Sequence, residues 1–378
     1  TEVDGTERRY AAAVNANSQT LLPWDAAPNS TVLDIASNAN QLILAGSFTY
    51  TKSKNFNHVL ALDSEGLIKD WNPNPNNFVQ EIEISGNEVY LGGIFSFVNG
   101  ISQNRFAVVD KNSGDLTGNQ ANLNAPALDI AVRNDSIFVV GGFTQVNGID
   151  HKYAAILDAN SMDLLPWNPD PNSRVNEIAV QEGRTLLAGN FNYTKFNDNN
   201  HILAIGSDGL IQDWNPNPNN IVEAIEISNN KVYLAGHFTL VNGIAQNRFA
   251  VVDKTTGDLT GNQINLNSTV EDIVVLGDSV YLAGPFTQVN GVDRSYLVGY
   301  NLQTNNFLDW SPDPDNRVYT IANDGADFLV GGNFEFLQYK DRSNLLALDK
   351  NTRLISDWNP GLISNQVRTI VADDNNVY

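Results

Sequence analysis

A glycine two positions before a phenylalanine constrains this 378-residue chain more than any other feature. It occurs as Gly46/Phe48, Gly93/Phe95, Gly141/Phe143, Gly189/Phe191, Gly236/Phe238, Gly284/Phe286 and Gly332/Phe334, and successive phenylalanines lie 47, 48, 48, 47, 48 and 48 residues apart. A period of about 40 to 50 residues made of short alternating runs belongs to stacked β-sheet repeats. The units are 1–48, 49–95, 96–143, 144–191, 192–238, 239–286, 287–334 and 335–378. Within the second, HVLALD, LIKDW, VQEIEIS and EVYLGGIF are alternating or β-branched and bounded by Asn, Gly, Pro or Ser, as strands are. A four-stranded antiparallel meander of this kind has two apolar faces, so each unit needs a neighbour on both sides. The expectation is an all-β, eight-bladed β-propeller forming a single domain over 1–378.

A second rhythm lies on the first. QNRFAVVD at 103–110 returns at 246–253, and DWNPNPNN at 70–77 returns at 213–220, both after 143 residues, or three units. The chain reads as a duplicated three-unit block, and a third copy of the third unit type would follow Tyr378. It begins with two outer strands (Tyr10 to Val14, Thr20 to Trp24) and finishes with two inner ones (Val367 to Ala372, Asn375 to Tyr378). One composite blade shared by the termini would close the ring and hide two sheet edges that otherwise invite aggregation.

The pattern G-x-F-T-x-V-N-G, N-R-F-A-V-V-D, G-D-L and W-N-P resembles the bacterial delta-type β-propeller repeats. It is more loosely similar to kelch propellers, through Gly92-Gly93, Gly141-Gly142 and Gly331-Gly332 and a late Trp, and to the fungal cortical polarity-marker propellers. It departs from kelch in lacking the regular Tyr and in losing Trp from units three and six, where Asn119 and Asn262 stand. The resemblance implies a fold and a binding role.

With 43 acidic against 22 basic residues the net charge is -21, which repels a nucleic-acid backbone and an anionic membrane surface alike. No apolar run approaches the roughly 20 residues of a spanning helix, so direct membrane insertion is not expected. Residue 1 already lies inside a repeat, as in a processed or trimmed product. Zero cysteines removes thiolate chemistry and Cys-ligated zinc. Richness in Asn, Asp and Thr with little Lys fits an exported bacterial protein, extracellular or at the cell surface.

The repeated Trp24, Trp71, Trp167, Trp214, Trp310 and Trp358 precede loops such as WNPNPNN and WNPDPN. An indole there either wedges between blades or offers a stacking platform to a sugar ring. The loops are stiffened by Pro and turned by Asn, and their repetition on one face makes Trp71, Asn74, Trp167, Asp170, Trp214 and Asn217 candidate binding residues. The V-N-G turns (Asn99-Gly100, Asn147-Gly148, Asn242-Gly243, Asn290-Gly291, and Asp4-Gly5) require positive φ. In the innermost strands an acid precedes the central Ile at Asp34, Glu81, Asp129, Glu177 and Asp272, where three units hold Ala224, Thr320 and Thr369. Such a ring either holds a hard cation, calcium for preference, or takes backbone N–H groups from the adjacent blade. The runs Asp110 to Asp115 and Asp158 to Asp163 lack the closing acid of a calcium loop and read as hairpin turns.

No H-E-x-x-H, G-x-S-x-G or phosphate-binding glycine loop occurs. His58 and His201 are one position in two copies, which suits scaffold better than catalysis. The expectation is a non-catalytic protein-binding or adhesion scaffold. The alternatives are a lectin-like glycan-binding propeller, marked by exposed indoles, and a channel-centred hydrolase or lyase, marked by an asymmetric His/Asp/Arg cluster.

Overall fold

The computed structural model describes residues 2–3, 6–15, 21–22, 25–38, 41–51, 56–63, 67–118, 120–181, 184–192, 194, 200–206, 210–261, 263–308, 313–323, 327–337, 340–341, 344–349, 366–370 and 376–377. Its contacts form two compact units, Thr1–Val175 with Val371–Tyr378, and Asn176–Ile370. Among the described residues every regular element is a strand, and no helix is long and apolar enough to cross a membrane.

Each Gly-x-Phe marks the end of the middle strand of an antiparallel sheet. Sheet 1 comprises Val32–Asn38, Gln41–Gly46 and Val59–Asp63, and sheet 2 Val79–Ser85, Glu88–Gly93 and Phe106–Asp110. Sheet 3 comprises Ala127–Arg133, Ser136–Gly141 and Ala154–Asp158, and sheet 4 Val175–Gln181, Arg184–Gly189 and Ile202–Gly206. Sheet 5 holds Val222–Ser228, Lys231–Gly236 and Phe249–Asp253; sheet 6 holds Asp272–Leu276, Ser279–Ala283, Leu297–Asn301 and Asn306–Phe307; sheet 7 holds Val318–Asn323, Asp327–Gly332 and Leu345–Asp349. The four-stranded expectation is met in full only by sheet 6 among the described residues. Elsewhere the outer strand pairs at one residue: Leu62 with Ile68, Val109 with Leu116, Leu157 with Leu164, Ile205 with Ile211 and Val252 with Leu259. After Ile68 and Ile211 the chain leaves the edge to carry Trp71 or Trp214 into the core and then enters a Pro loop that has no N–H to offer the ladder.

Middle strands are apolar on both faces, and within each unit successive sheets pack face to face. Ile43, Ala45, Val59 and Ala61 of sheet 1 pack with Ile82, Val89 and Leu91 of sheet 2. The alternate residues Tyr90, Phe106 and Val108 of sheet 2 pack with Ile130, Ile137 and Val139 of sheet 3. In the second unit Leu186, Ala188 and Ile202 meet Ile225, Val232 and Leu234. Tyr233, Ala235 and Val251 meet Ile273, Val280 and Leu282, and Tyr281 and Ala283 meet Ile321, Phe328 and Val330. The seven repeat phenylalanines from Phe48 to Phe334 are all 0% exposed. Truncating one to Ala costs about 3 to 5 kcal/mol.

Two local features explain the motif. The first strand is bulged between Val32/Asp34, Val79/Glu81, Ala127/Asp129, Val222/Ala224 and Val318/Thr320. The extra residue re-aims its side chain out of the ladder. The bulge also swings a carbonyl against the motif glycine: a Cβ on Gly93 would sit on the Phe78 carbonyl oxygen, and one on Gly141 on that of Pro126. The second feature is a left-handed residue before the third strand, His58, Arg105, Tyr153, His201, Arg248, Tyr296 and Asn344, with φ between 62 and 69°. Its N–H donates to the motif phenylalanine carbonyl, as in His58 to Phe48 at 2.7 Å, and its carbonyl accepts from the motif glycine, as in Gly46 to His58 at 2.9 Å.

The V-N-G segments form small hairpins with both turn residues at positive φ, Asn99 at 49° and Gly100 at 74° for instance. Asp4-Gly5 lies outside the described residues. At the ends of the chain Val14 pairs with Val377 and Asn15 with Asn376. This is shorter than the expected Tyr10 to Val14 strand; most of the Thr20 to Trp24 strand lies outside the described residues. Residues 366–370, expected as an inner strand, form none, although Val367 N–H reaches the Gly332 carbonyl at 2.9 Å.

Gly93→Ala is therefore expected to cost about 1 to 3 kcal/mol, since the bulged carbonyl must move; denaturant melts of the variant check this. Deleting residues 1–24 removes the partner of Asn376–Val377 and the buried Ala13. Loss of a single cooperative transition is expected, and calorimetry reads it.

Candidate functional site

The candidate loops are locked by their own side chains. Asn76 Oδ1 accepts N–H from Ser96 at 2.8 Å and Phe97 at 3.0 Å, and Asn124, Asn219 and Asn267 repeat the arrangement on Thr144, Thr239 and Thr287. Trp71 and Trp214 are 0% and 1% exposed, and their ring N–H groups donate to the carbonyls of Asp110 at 2.9 Å and Asp253 at 3.0 Å. Expected on a binding face, these two are packing residues instead, because the short outer strand leaves a gap between sheets that an indole fills. Trp167 is half-buried, and its ring N–H has no acceptor among the described residues. Asn74 and Asn217 are exposed at the loop crowns with φ of 50 and 51°, taking the Asn57 and Asn200 amides, while Asp170 pairs with Lys152 at 3.1 Å. Trp24, Trp310, Trp358, Asn119 and Asn262 lie outside the described residues.

The inner acids are spent on neighbouring backbone. Asp34 accepts its own strand's Ile35 N–H and, with its other oxygen, that of Ile82 in sheet 2, both at 2.8 Å. Asp272 does the same with Ile273 and Ile321, and Glu177 takes Ile225 N–H at 3.2 Å. Glu81 takes Ile130 N–H. Asp34, Glu81, Glu177 and Asp272 thus stitch one sheet to the next, while Asp129 keeps the same register position opposite Val140. Among the described residues no three His, Asp or Glu groups gather as a metal cluster. Asp110 and Asp158 turn their oxygens onto the N–H groups of Asn112 and Ser113, and of Asn160 and Ser161, and these hold both carboxyls below the usual range.

Burial still opposes ionisation of the inner acids. It raises Asp34 against the pull of the Ile82 and Ile35 N–H groups, and raises Asp272 to about 6. Glu81 is lifted well above its ordinary value by burial, then by Asp34, Asp129 and Glu83. Glu83, two residues on, is pushed to about 7 by burial and by Asp129 and Asp34. Burial lowers His58 and His201. Both favour the neutral ring, and His201 Nδ1 lies 3.2 Å from the Gly189 carbonyl, as part of the scaffold.

A different set of residues breaks the repeat. The bulge residue and its neighbours line the end of the inner strand beside the Gly-x-Phe turn. In the first copy of the block they are Leu33, Phe78, Gln80, Ile94, Pro126 and Leu128. In the second unit, 143 residues on, the same positions carry Asn176, Ile221, Glu223, His237, Thr269 and Glu271, joined by Arg317, Tyr319, Gln366 and Arg368. These side chains interact as one rim. Asn176 Nδ2 donates to Asn190 at 3.1 Å and to Glu223 at 3.4 Å; His237 Nε2 lies 3.5 Å from Glu223 and its Nδ1 3.4 Å from the Thr269 hydroxyl. Arg317 makes a two-nitrogen pair with Glu271, Nε at 2.8 Å, and stacks 5.0 Å over the Tyr319 ring. With the Gln366 amide nitrogen turned to Tyr319 Oη at 2.9 Å, its oxygen accepts from Arg368 Nε at 2.8 Å. His237, Glu223 and Arg317 remain 44, 37 and 39% exposed, so the rim is open to solvent. Comparing residues 143 apart at the bulge, such as Leu128 with Glu271, would have located it from the chain alone.

Two solved structures share the architecture. The computationally designed Ika8 protein aligns with a TM-score of 0.58 at 13% identity, covering 86% of each chain. The WD40 β-propeller domain of Doa1 aligns at 0.50 and 12% identity, covering 86% of this chain and 95% of that one. The chain is a β-propeller. No family model and no curated protein matches it, and at these identities the likeness speaks for the fold alone.

The propeller's inner acids set its pH response. A carboxyl raised on folding contributes stability that is complete below its unfolded value near 4 and is lost as pH rises through its folded value, here about 6 to 7 for Asp272 and Glu83. Melting is expected to be higher at pH 5 than at pH 8, and Glu83→Gln to raise the pH 8 melting temperature by about 1 to 4 °C while leaving pH 5 unchanged. Backbone N–H groups already occupy Asp34 and Asp272, so chelating divalent ions is expected to leave the melting temperature in place; a rise on adding calcium back would restore the cation reading.

Proposed function

We propose that this chain is a non-catalytic binding scaffold with a protein partner, an exported bacterial propeller working outside the cell or at its surface, and that the charged rim of the second unit is its recognition site. In this reading the eight units form one ring, the termini share a blade, and the repeats group with the delta-type, kelch-like propellers. The terminal pairing of Val14–Asn15 with Asn376–Val377 supports closure. One observation carries the site: duplicated positions that are apolar or neutral in the first copy, Leu33, Gln80, Ile94 and Leu128, have become Asn176, Glu223, His237 and Glu271 in the second. Core packing does not ask for that change, since the first copy builds the same bulge without it. Half-exposed polar groups cost little to retain and offer donors and acceptors to a partner.

Binding suits this rim better than catalysis, because its hydroxyl–imidazole–carboxylate contacts are long and its guanidinium is committed to a carboxylate. The glycan alternative loses the stacking platforms of Trp71 and Trp214, which are buried. The test combines a glycan array with capture of proteins from the surface of the producing cells, using wild type and the double variant Glu223→Lys, Arg368→Glu. We expect a captured protein that the double variant retains at least tenfold less, with an unchanged melting temperature and a silent array. Saccharide binding without any protein partner would overturn the reading.

A further inference from the structure

Resting on that reading, we propose that the rim receives a mixed-charge peptide segment of the partner, seating an acidic side chain on Arg368 and a basic one on Glu223. The rim's charges are not equally satisfied. Glu271 and Arg317 neutralise one another, and Tyr319 fixes the guanidinium plane from below. That pair has little left to give an incoming charge.

Glu223 and Arg368 differ from it. Among the described residues the Glu223 carboxylate meets an amide at 3.4 Å and an imidazole at 3.5 Å, both at the long end of hydrogen bonding, and stays 37% exposed. Arg368 is exposed, and its guanidinium rests on the neutral oxygen of Gln366, although the chain carries 43 acidic residues against 22 basic ones. Glu223 belongs to sheet 5 and Arg368 to the segment after sheet 7, whereas the spent pair joins sheets 6 and 7. The succession of sheets is fixed by packing, since the cores couple sheet 5 to 6 and 6 to 7, and Val367 donates to the Gly332 carbonyl of sheet 7. An anion and a cation that meet no Lys, Arg, Asp or Glu partner among the described residues therefore flank a self-satisfied ion pair.

A ligand of one sign would satisfy one end and be repelled by the other. A segment bearing both signs satisfies both, and the guanidinium fork favours a planar carboxylate as its partner. At about 0.15 M salt the Debye length is near 8 Å, so the rim's local charges, rather than the distant net charge, decide the fit. The first copy has no charged side chain at Leu33, Gln80, Ile94 or Leu128 and offers no equivalent.

Four Gly/Ser peptides test this by titration calorimetry at that ionic strength: one with a Glu and a Lys, one with Glu alone, one with Lys alone and one with neither. The mixed peptide is expected to bind at least tenfold more tightly than either single-charge peptide. Arg368→Gln should abolish the advantage of the Glu, and Glu223→Gln that of the Lys, each leaving the other intact. Equal binding of all four peptides, a Lys-only peptide matching the mixed one, or tighter binding of an oligouronate would overturn the proposal. Loss of the captured surface protein in the double variant, with no peptide discrimination, would reject this ligand chemistry while keeping the site. Full capture by the double variant would reject the site itself.

Discussion

Much in this propeller hangs on a bulge one residue into the inner strand, seen in sheets 1, 2, 3, 5 and 7. By doubling two residues against one, it pushes a carbonyl onto the motif glycine, turns an acid toward the next sheet, and ejects the intervening side chain from the ladder. The glycine is compulsory because a Cβ would occupy the carbonyl's place. The acid is useful because its oxygens, at Asp34 and Asp272, collect an N–H from its own strand and another from the neighbouring sheet. The ejected side chain is free of packing duty, and it is the position where the copies diverge.

Burying carboxylates along the inner strands has an electrostatic cost that the N–H ties only partly offset. Glu81 and Glu83 sit near Asp34 and Asp129, and their raised protonation values show that the ties do not fully compensate. Neutralisation by a proton is the inexpensive route, and a cation is not needed to explain the arrangement. In the second unit the corresponding crowding is lighter, because Ala224 replaces one acid and Glu226 is raised by burial and then by Asp272.

Much of this was legible in the chain. The spacing of Gly-x-Phe located the middle strands, and the V-N-G turns and the adjacent-sheet role for Asp34 and Asp272 follow from backbone chemistry that a sequence displays directly. Other parts were not. The left-handed residues before the third strand are His, Arg, Tyr or Asn, with no common side-chain signal, because the conformation is imposed by hydrogen bonds to Gly and Phe rather than chosen by the residue. The tryptophan loops looked like a binding face because indoles serve packing and recognition equally well, and only burial separates the two. The rim went unseen because attention to what repeats hides what does not.

The central claim is that the scaffold and the recognition site are separable at the bulge. The most direct measurement gives the second copy the residues of the first, in the fourfold variant Asn176→Leu, Glu223→Gln, His237→Ile and Glu271→Leu, and records both melting and partner binding. The first copy already folds with those residues, so the account predicts an unchanged cooperative melt with binding lost. Binding that survives the exchange, or a chain that no longer folds, would contradict it.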